Sequence, residues 1–512
     1  MLRKLLFLLP LSFLFANEEA EFEQSEAKTE GTLRSFLEQF FKTKEEVESC
    51  SFTSTFHTLD LSTGPVSYLA ITGVLPQYLE NGEKVGNLFF TAYLKETDEG
   101  EAIPTRPLTF IFDGGPGGSS LAMHIGGFGP RRLLLPEEGQ KSLPPYQMID
   151  NLETIFDVSD LVFVDPVGTG YSSAEKIEYK LGYYSVEGDL FSFSEFIRMF
   201  CIEFDRWNSP KYLIGASYGT MRAIGIAEML ANMGIYLNGV ALLSTAFDYH
   251  FQISQRDLPF SDWLKIPSFA ATAWHHKRTG TDKTLEEVVS NARRFMYDVY
   301  APIMLQPNRV SEKERMTFYQ KFASLIGLPV DVIRRFQGRI DETIFTSEFF
   351  AVDRKVIGGI DSRYIGDVSS LASEYREDPS YQDIRPAFYP LFMNYLQNEL
   401  DTKKELKYIP FSHEAFRFWN WNTLDSIALP NFLQRLRRTL VDNPQLKVFI
   451  GSGYYDLRTP FAAMEYSVEH LELPASYRKN FQIEYYPAGH GFIFHLPSLK
   501  KLKQDLVRFY SH

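Results

Sequence analysis

Five short apolar runs recur along this chain, each leading into a turn of glycine, proline, serine or aspartate: "PLTFIFDGG", "DLVFVDPVG", "KYLIGAS", "GVALLSTAFD" and "LKVFIGSGYYD". None alternates in and out as a half-solvated strand does, and helical stretches such as "MRAIGIAEMLANMG" lie between them. Strands buried on both faces and spaced by helices predict an α/β fold with a mostly parallel central sheet. Ahead of them, "HTLDLS", "VSYLAITGVLPQYL" and "NLFFTAYLKE", with "ENGEK" as a hairpin turn, predict an antiparallel start to the same sheet. The strand rhythm stops between Asp248 and about Asn443, where patterns such as "TLEEVVSNARRFMYDVYAPIML" predict helices. The expected layout is a catalytic body of residues 32–247 and 444–512, interrupted by a mainly helical cap at 248–443 that walls the site. With 512 residues, 44% of them hydrophobic, the chain is long enough for both.

The first sixteen residues, "MLRKLLFLLPLSFLFA", place Arg3 and Lys4 before an apolar run from Leu5 to Phe15 and read as a cleavable secretion signal. That run is short for a bilayer, and no later run is long enough for a membrane helix, so a secreted or periplasmic protein is expected. Residues 17–31 are polar and acidic and predict disorder, and "TLRSFLEQFFKTKEEVES" predicts a short amphipathic helix. A formal net charge of -13 argues against a nucleic-acid partner, which would need clustered Lys and Arg. Cys50 and Cys201 are the two cysteines, and Cys201 sits in the apolar stripe "FIRMFCIEF" of a core helix. With so few thiols and neither HExxH nor paired CxxC, no zinc site is expected.

Within "YLIGASYGTM", Ser217 stands between Gly215 and Gly219 where a strand ends and a helix begins. That spacing suits a sharp turn that lifts a hydroxyl clear of the backbone. A serine hydroxyl needs a base within hydrogen-bond reach and a group to orient that base. Of ten histidines, His490 is best placed, in the glycine-bracketed loop of "FQIEYYPAGHGFIF". His495 has apolar neighbours, while His275, His276 and His470 read as surface residues. Asp456 closes the strand of "LKVFIGSGYYD", between serine and histidine in chain order. Ser, then Asp, then His is the order of an α/β-hydrolase sheet. Asp248 is the second candidate acid, and Asp165 the residue that holds the turn of "DPVGTGYS". A negative oxygen formed on attack must meet preoriented backbone N–H groups. The amide of Tyr218 is one candidate donor, and the glycine-rich loop of "DGGPGG" offers another. This chemistry is complete in side chains and amides, so no cofactor is implied.

The motifs "DGGPGGSS", "DPVGTGYSS", "GASYG", "GSGYYDLRTPF" and "AGHGF", in this order, resemble the serine carboxypeptidase family, and its bacterial secreted branch more closely than the fungal or plant enzymes. The likeness covers roughly residues 57–245 and 446–505. It implies an α/β-hydrolase fold, a peptide substrate cut from its carboxyl end through an acyl-enzyme, Ser217 as nucleophile, His490 as base, Asp456 as its orienter, and the Gly115 and Tyr218 amides as oxyanion hole.

Two positions depart from the family pattern. The family has Asn where Asp113 stands and Glu where Ala216 stands, and together with the glycine after the first, here Gly114, these bind the carboxylate of the peptide's last residue. Two unit charges about 4 Å apart at an effective dielectric near 20 repel by roughly 4 kcal/mol, on the order of a thousandfold in affinity. Loss of a hydrogen bond to a charged group removes about 1.5–3 kcal/mol more. Either Asp113 stays protonated in acid, or Arg131, Arg132 or Arg222 supplies a positive charge. An esterase, acyltransferase or endo-acting hydrolase is the alternative reading.

Overall fold

The computed structural model describes residues 52–96, 105–138, 143–251, 260–368, 378–402, 405–424 and 429–511. The expected signal, acidic segment and first helix, with Cys50, lie outside them. Nine strands make the main path of one sheet: β1 (Thr53–Leu61), β2 (Gly64–Tyr78), β3 (Lys84–Lys95), β4 (Leu108–Phe112), β5 (Asp160–Val164), β6 (Lys211–Ala216), β7 (Gly239–Leu243), β8 (Lys447–Gly453) and β9 (Phe481–Tyr486). Their order across the sheet is β1-β2-β3-β5-β4-β6-β7-β8-β9, and Ser173–Ala174 adds a short pairing on β3. The first three strands pair antiparallel, and β3 also meets β5 antiparallel. From β5 to β9 every pairing is parallel. The five apolar runs are therefore all strands of the parallel part, and their carboxyl ends share one edge. In open parallel sheets that edge is where ligands bind.

Alternate residues of these strands enter two different apolar clusters, which are the two faces of the sheet. Phe110, Phe112, Leu213, Val240, Leu242, Val448 and Ile450 pack on one face with α1 (Val186–Glu203), α2 (Tyr218–Asn232) and α7 (Leu433–Asp442). Ile111, Ile214, Ala241, Leu243 and Phe449 pack on the other with α6 (Pro379–Asn398) and α9 (Leu496–Ser511). Cys201 is buried within α1 in the first cluster, and burial pushes its thiol up to about 11.

The long segment between β7 and β8 packs in two ways. Helices α3 (Ile266–His275), α4 (Leu285–Phe295) and α5 (Glu312–Ile326) lie in its first part. There Phe269, Phe318, Phe322, Ile326 and Phe345 form a cluster of their own. Residues after 378 instead return to the sheet: Phe388, Phe392, Tyr395 and Leu396 of α6 join the second face, and Phe432, Leu436 and Leu440 join the first. Between β8 and β9 runs α8 (Phe461–Glu469), whose Phe461 and Ala462 meet Leu285 and Val289 of α4. Among the described residues no helix is long and apolar enough to cross a membrane.

Candidate active site

The turn from β6 into α2 is as sharp as its sequence implies. Ser217 has φ 56° and ψ -126°, a conformation that L residues avoid and that surrounding structure must enforce. Its amide donates to the Leu243 carbonyl at 3.0 Å. The flanking glycines answer to close approach: a methyl on Gly215 would sit 2.0 Å from the Gly219 carbonyl oxygen, and one on Gly219 2.7 Å from that of Asp113. Tyr218, as first residue of α2, has an amide without an intrahelical acceptor.

The glycine-rich loop after β4 presses on this turn. A methyl on Gly114 would meet the Ala216 carbonyl oxygen and the Tyr218 amide nitrogen, each at 2.7 Å. Gly115, at φ 115°, has a backbone that favours glycine. Two buried acids brace the loop from outside. Asp165 accepts from the Ser120 amide at 2.8 Å, the Ser120 hydroxyl at 2.7 Å and the Tyr408 hydroxyl at 2.9 Å. Burial lifts its carboxyl to about 6 against those bonds. Asp189 of α1 pairs with Arg222 of α2 at 2.8 Å and 3.1 Å, and Arg222 donates onward to the Asp113 carbonyl at 2.6 Å.

His490 follows β9 and Asp456 follows β8, and their side chains meet: His490 Nδ1 lies 2.7 Å from Asp456 Oδ2. Asp456 is fully buried and its oxygens are saturated. Oδ1 accepts from the Arg458 and Thr459 amides at 2.8 Å and 2.9 Å, and Oδ2 also accepts from the Thr459 hydroxyl at 2.5 Å. Burial works against the charge on both partners, yet the pairing outweighs it. His490 is held above its usual 6.5 by the charge and hydrogen bond of Asp456, with Asp113 adding, and Asp456 is held below its usual 3.8 by His490 and Thr459. The His490 backbone is fixed twice, its amide donating to the Ile360 carbonyl at 2.7 Å and its carbonyl accepting from the Ser244 hydroxyl at 2.6 Å. Beside it, the Gly489 amide donates to Asp361 at 2.9 Å.

Ser217, His490, Asp113 and Ala216 all line one cleft of about 220 Å³. Gly114 and Tyr218 lie at the contact of loop and turn, Gly115 is the next residue of that loop, and Asp456 lies under His490. Of the other candidates, Asp248 pairs with His250 at 2.7 Å and not with His490. His495 shares the cleft but bonds Ser498 at 2.7 Å, and His276, expected at the surface, is half-buried with Nε2 2.8 Å from the Ser362 carbonyl. Burial raises the Asp113 carboxyl above its usual range, against the Gly114 amide and the charges of His490 and Arg222.

None of the three arginines considered from sequence lines the cleft. Arg222 is fully buried against Asp189, Arg131 pairs with Asp150 at 2.5 Å and Glu399 at 3.1 Å, and Arg132 donates to the Leu133 carbonyl at 3.3 Å. The cations that do line it are Arg363 and Arg385. Sequence reading missed them because both come from the segment between β7 and β8, where no motif marks a register. A signal existed in "SYQDIRPAF": Tyr381, Ile384, Arg385 and Phe388 share one helix face by their spacing, and all line the cleft.

Comparison with known proteins bears on this arrangement. No curated protein sequence matches the chain. Among solved structures, Kex1(delta)p, a prohormone-processing carboxypeptidase from Saccharomyces cerevisiae, matches with TM-score 0.54 and 16% identity, over 87% of this chain and 91% of that one. A proline iminopeptidase from Mycobacterium smegmatis matches with TM-score 0.36 and 11% identity, over 86% of this chain and 98% of that one. The first likeness is one of fold, an α/β-hydrolase, as the sheet order and strand directions are. The model of the family described as serine carboxypeptidase matches residues 75–491, from β2 through His490, and by that match the chain belongs to the serine carboxypeptidase family and is a serine hydrolase.

Proposed function

We propose that this protein is a secreted serine carboxypeptidase that removes residues from the carboxyl end of peptides through an acyl-enzyme. The observation that carries the reading is the 2.7 Å contact of His490 with a buried, saturated Asp456, in the cleft that Ser217 enters from a positive-φ turn. With Asp456 accepting from Nδ1, the other ring nitrogen is left as base. His490 Nε2 takes the proton of Ser217 Oγ as that oxygen bonds to the scissile carbonyl carbon. The carbonyl π electrons move to oxygen, where the Gly115 and Tyr218 amides meet the negative charge. The imidazolium then protonates the departing amine, the C–N bond breaks, and the terminal residue leaves as a free amino acid. Water, deprotonated by the same imidazole, attacks the ester and releases the shortened peptide with Ser217 restored.

The basic and apolar first sixteen residues support secretion. Ser217→Ala tests the reading: it abolishes turnover and fluorophosphonate labelling while leaving the melting temperature within a few degrees. Persistent turnover refutes it. A second reading, a hydrolase acting on esters or internal bonds, is favoured by Asp113 and Ala216 together. Faster turnover of neutral esters than of any peptide would select it.

A further inference from the structure

The glycine-rich loop after β4 is tied at both ends to buried side chains. Asp113 opens it, with its carbonyl accepting from Arg222 at 2.6 Å. Ser120 closes it, with amide and hydroxyl both donating to Asp165 Oδ1 at 2.8 Å and 2.7 Å. Between them the Gly118 amide turns back to the Gly114 carbonyl at 3.1 Å, so Gly115 sits in a turn with fixed ends. A strap of residues 408–412, from the excursion between β7 and β8, runs along this loop. The Ser119 amide donates to the Pro410 carbonyl at 3.0 Å and the Ser412 amide to the Gly117 carbonyl at 2.8 Å. The strap also meets the turn that follows β5, where Gly170 and Ile409 exchange backbone bonds of 2.7 Å and 3.1 Å. Loop, strap and turn converge on one carboxylate. Asp165 Oδ1 holds the loop through Ser120, Oδ2 accepts from the strap's Tyr408 hydroxyl at 2.9 Å, and a methyl on Gly170 would lie 1.7 Å from that same oxygen.

Asp165 and Tyr408 are buried, and the three donors on the carboxylate are uncharged. An ionised carboxylate accepts on both oxygens at once, whereas an amide accepts on one and donates from the other side. In Asp165→Asn the amide oxygen can serve Ser120 or Tyr408 but not both, and the NH2 group faces a donor at the other. Resting on the serine carboxypeptidase reading, we infer that Asp165 is a positioning residue of the oxyanion hole: by accepting from loop and strap together, it aims the Gly115 amide at the oxygen that turns negative. It touches no substrate and acts only through the loop. A donor of this kind works because it is already aimed before the charge develops. Loosening it therefore costs binding of the tetrahedral state more than binding of the substrate.

The test compares two inhibitors on wild type, Asp165→Asn and Ser120→Ala. One is an N-blocked phenylalanyl trifluoromethyl ketone, to whose carbonyl carbon Ser217 Oγ adds while its proton passes to His490 and the ketone oxygen becomes the anion. The other is the corresponding alcohol, which fills the same space but cannot add. The ratio of their inhibition constants reports the oxyanion hole and does not depend on how much of a preparation is folded. Asp165→Asn is expected to lower the advantage of the ketone by at least tenfold and kcat by a similar factor, with KM changed less than threefold. Ser120→Ala removes one hydroxyl from the same anchor, is expected to lower the advantage about threefold, and decides alone where Asp165→Asn does not fold. An unchanged ratio, or equal weakening of both inhibitors, overturns the assignment and leaves the carboxypeptidase reading standing. A wild type that binds the ketone no more tightly than the alcohol overturns both.

Discussion

Replacing Asp456 by asparagine tests the site at its most constrained atom. Oδ1 receives two backbone amides at 2.8 Å and 2.9 Å, whereas Oδ2 faces the Thr459 hydroxyl and His490 Nδ1. An asparagine amide can place its NH2 group at either position. Placed against the two amides it would leave buried donors facing donors, at about 1–3 kcal/mol for each one unsatisfied. The oxygen therefore keeps the Oδ1 position and the NH2 group turns toward His490. A donor there requires Nδ1 to be an acceptor, so the ring proton moves to Nε2, the nitrogen that should accept from Ser217. The imidazole stays in place but in the wrong tautomer. Such a change in a serine triad costs on the order of 10⁴ in kcat, equivalent to about 5.5 kcal/mol of barrier. The rate constant for fluorophosphonate labelling of Ser217 should fall in parallel. Stopped assays on a peptide with a free carboxyl end, with labelling and thermal melting on the same preparation, measure all three quantities. A variant that labels within tenfold of wild type with an unaltered melting temperature would refute the tautomer argument and the base assignment with it.

A pH profile of kcat/KM should carry an acid limb above pH 6.5, because His490 acts only when neutral and its charged neighbours hold its proton to higher pH than usual. Asp113→Asn removes one of those charges and should move the limb to lower pH, while strengthening preference for free carboxylates; an unmoved limb would take Asp113 out of the histidine's field. Arg222→Met should lower stability by about 3–5 kcal/mol in denaturant titration, since it leaves Asp189 buried without its cation. Loss of carboxylate preference in that variant without loss of stability would return Arg222 to the substrate.

What the sequence makes legible here follows from how strongly the backbone constrains residue choice. Both faces of β4, β6 and β8 are buried, so their apolar runs stand out without alternation, and the residues just past their ends fall on one edge. Asp456 and His490 could be matched because chain order and strand ends leave few partners for Ser217. The cleft wall is a different matter. α6 carries Pro386 and Pro390 inside it and has one side on the sheet and part of another on the cleft, so no single apolar stripe declares its register. Arg131, Arg132 and Arg222 were attractive for being near motif residues along the chain. The partners of Arg131 and Arg222, namely Asp150, Glu399 and Asp189, are remote in sequence, and only folding reveals those pairings.

The clamp on the His490 loop has a consequence for how this architecture could change. Ile360 and Asp361 belong to the long excursion between β7 and β8, yet they accept from the amides of the histidine and of the residue before it. A version of the chain spliced directly from residue 247 to 444 would keep the serine turn, the strand that delivers Asp456 and the Ser244 hold on the His490 carbonyl, but would leave the amides of Gly489 and His490 without their acceptors. The excursion is thus a supporting wall as well as a cover: a change in the path of the short stretch from 358 to 363 reaches the catalytic loop directly through these two bonds.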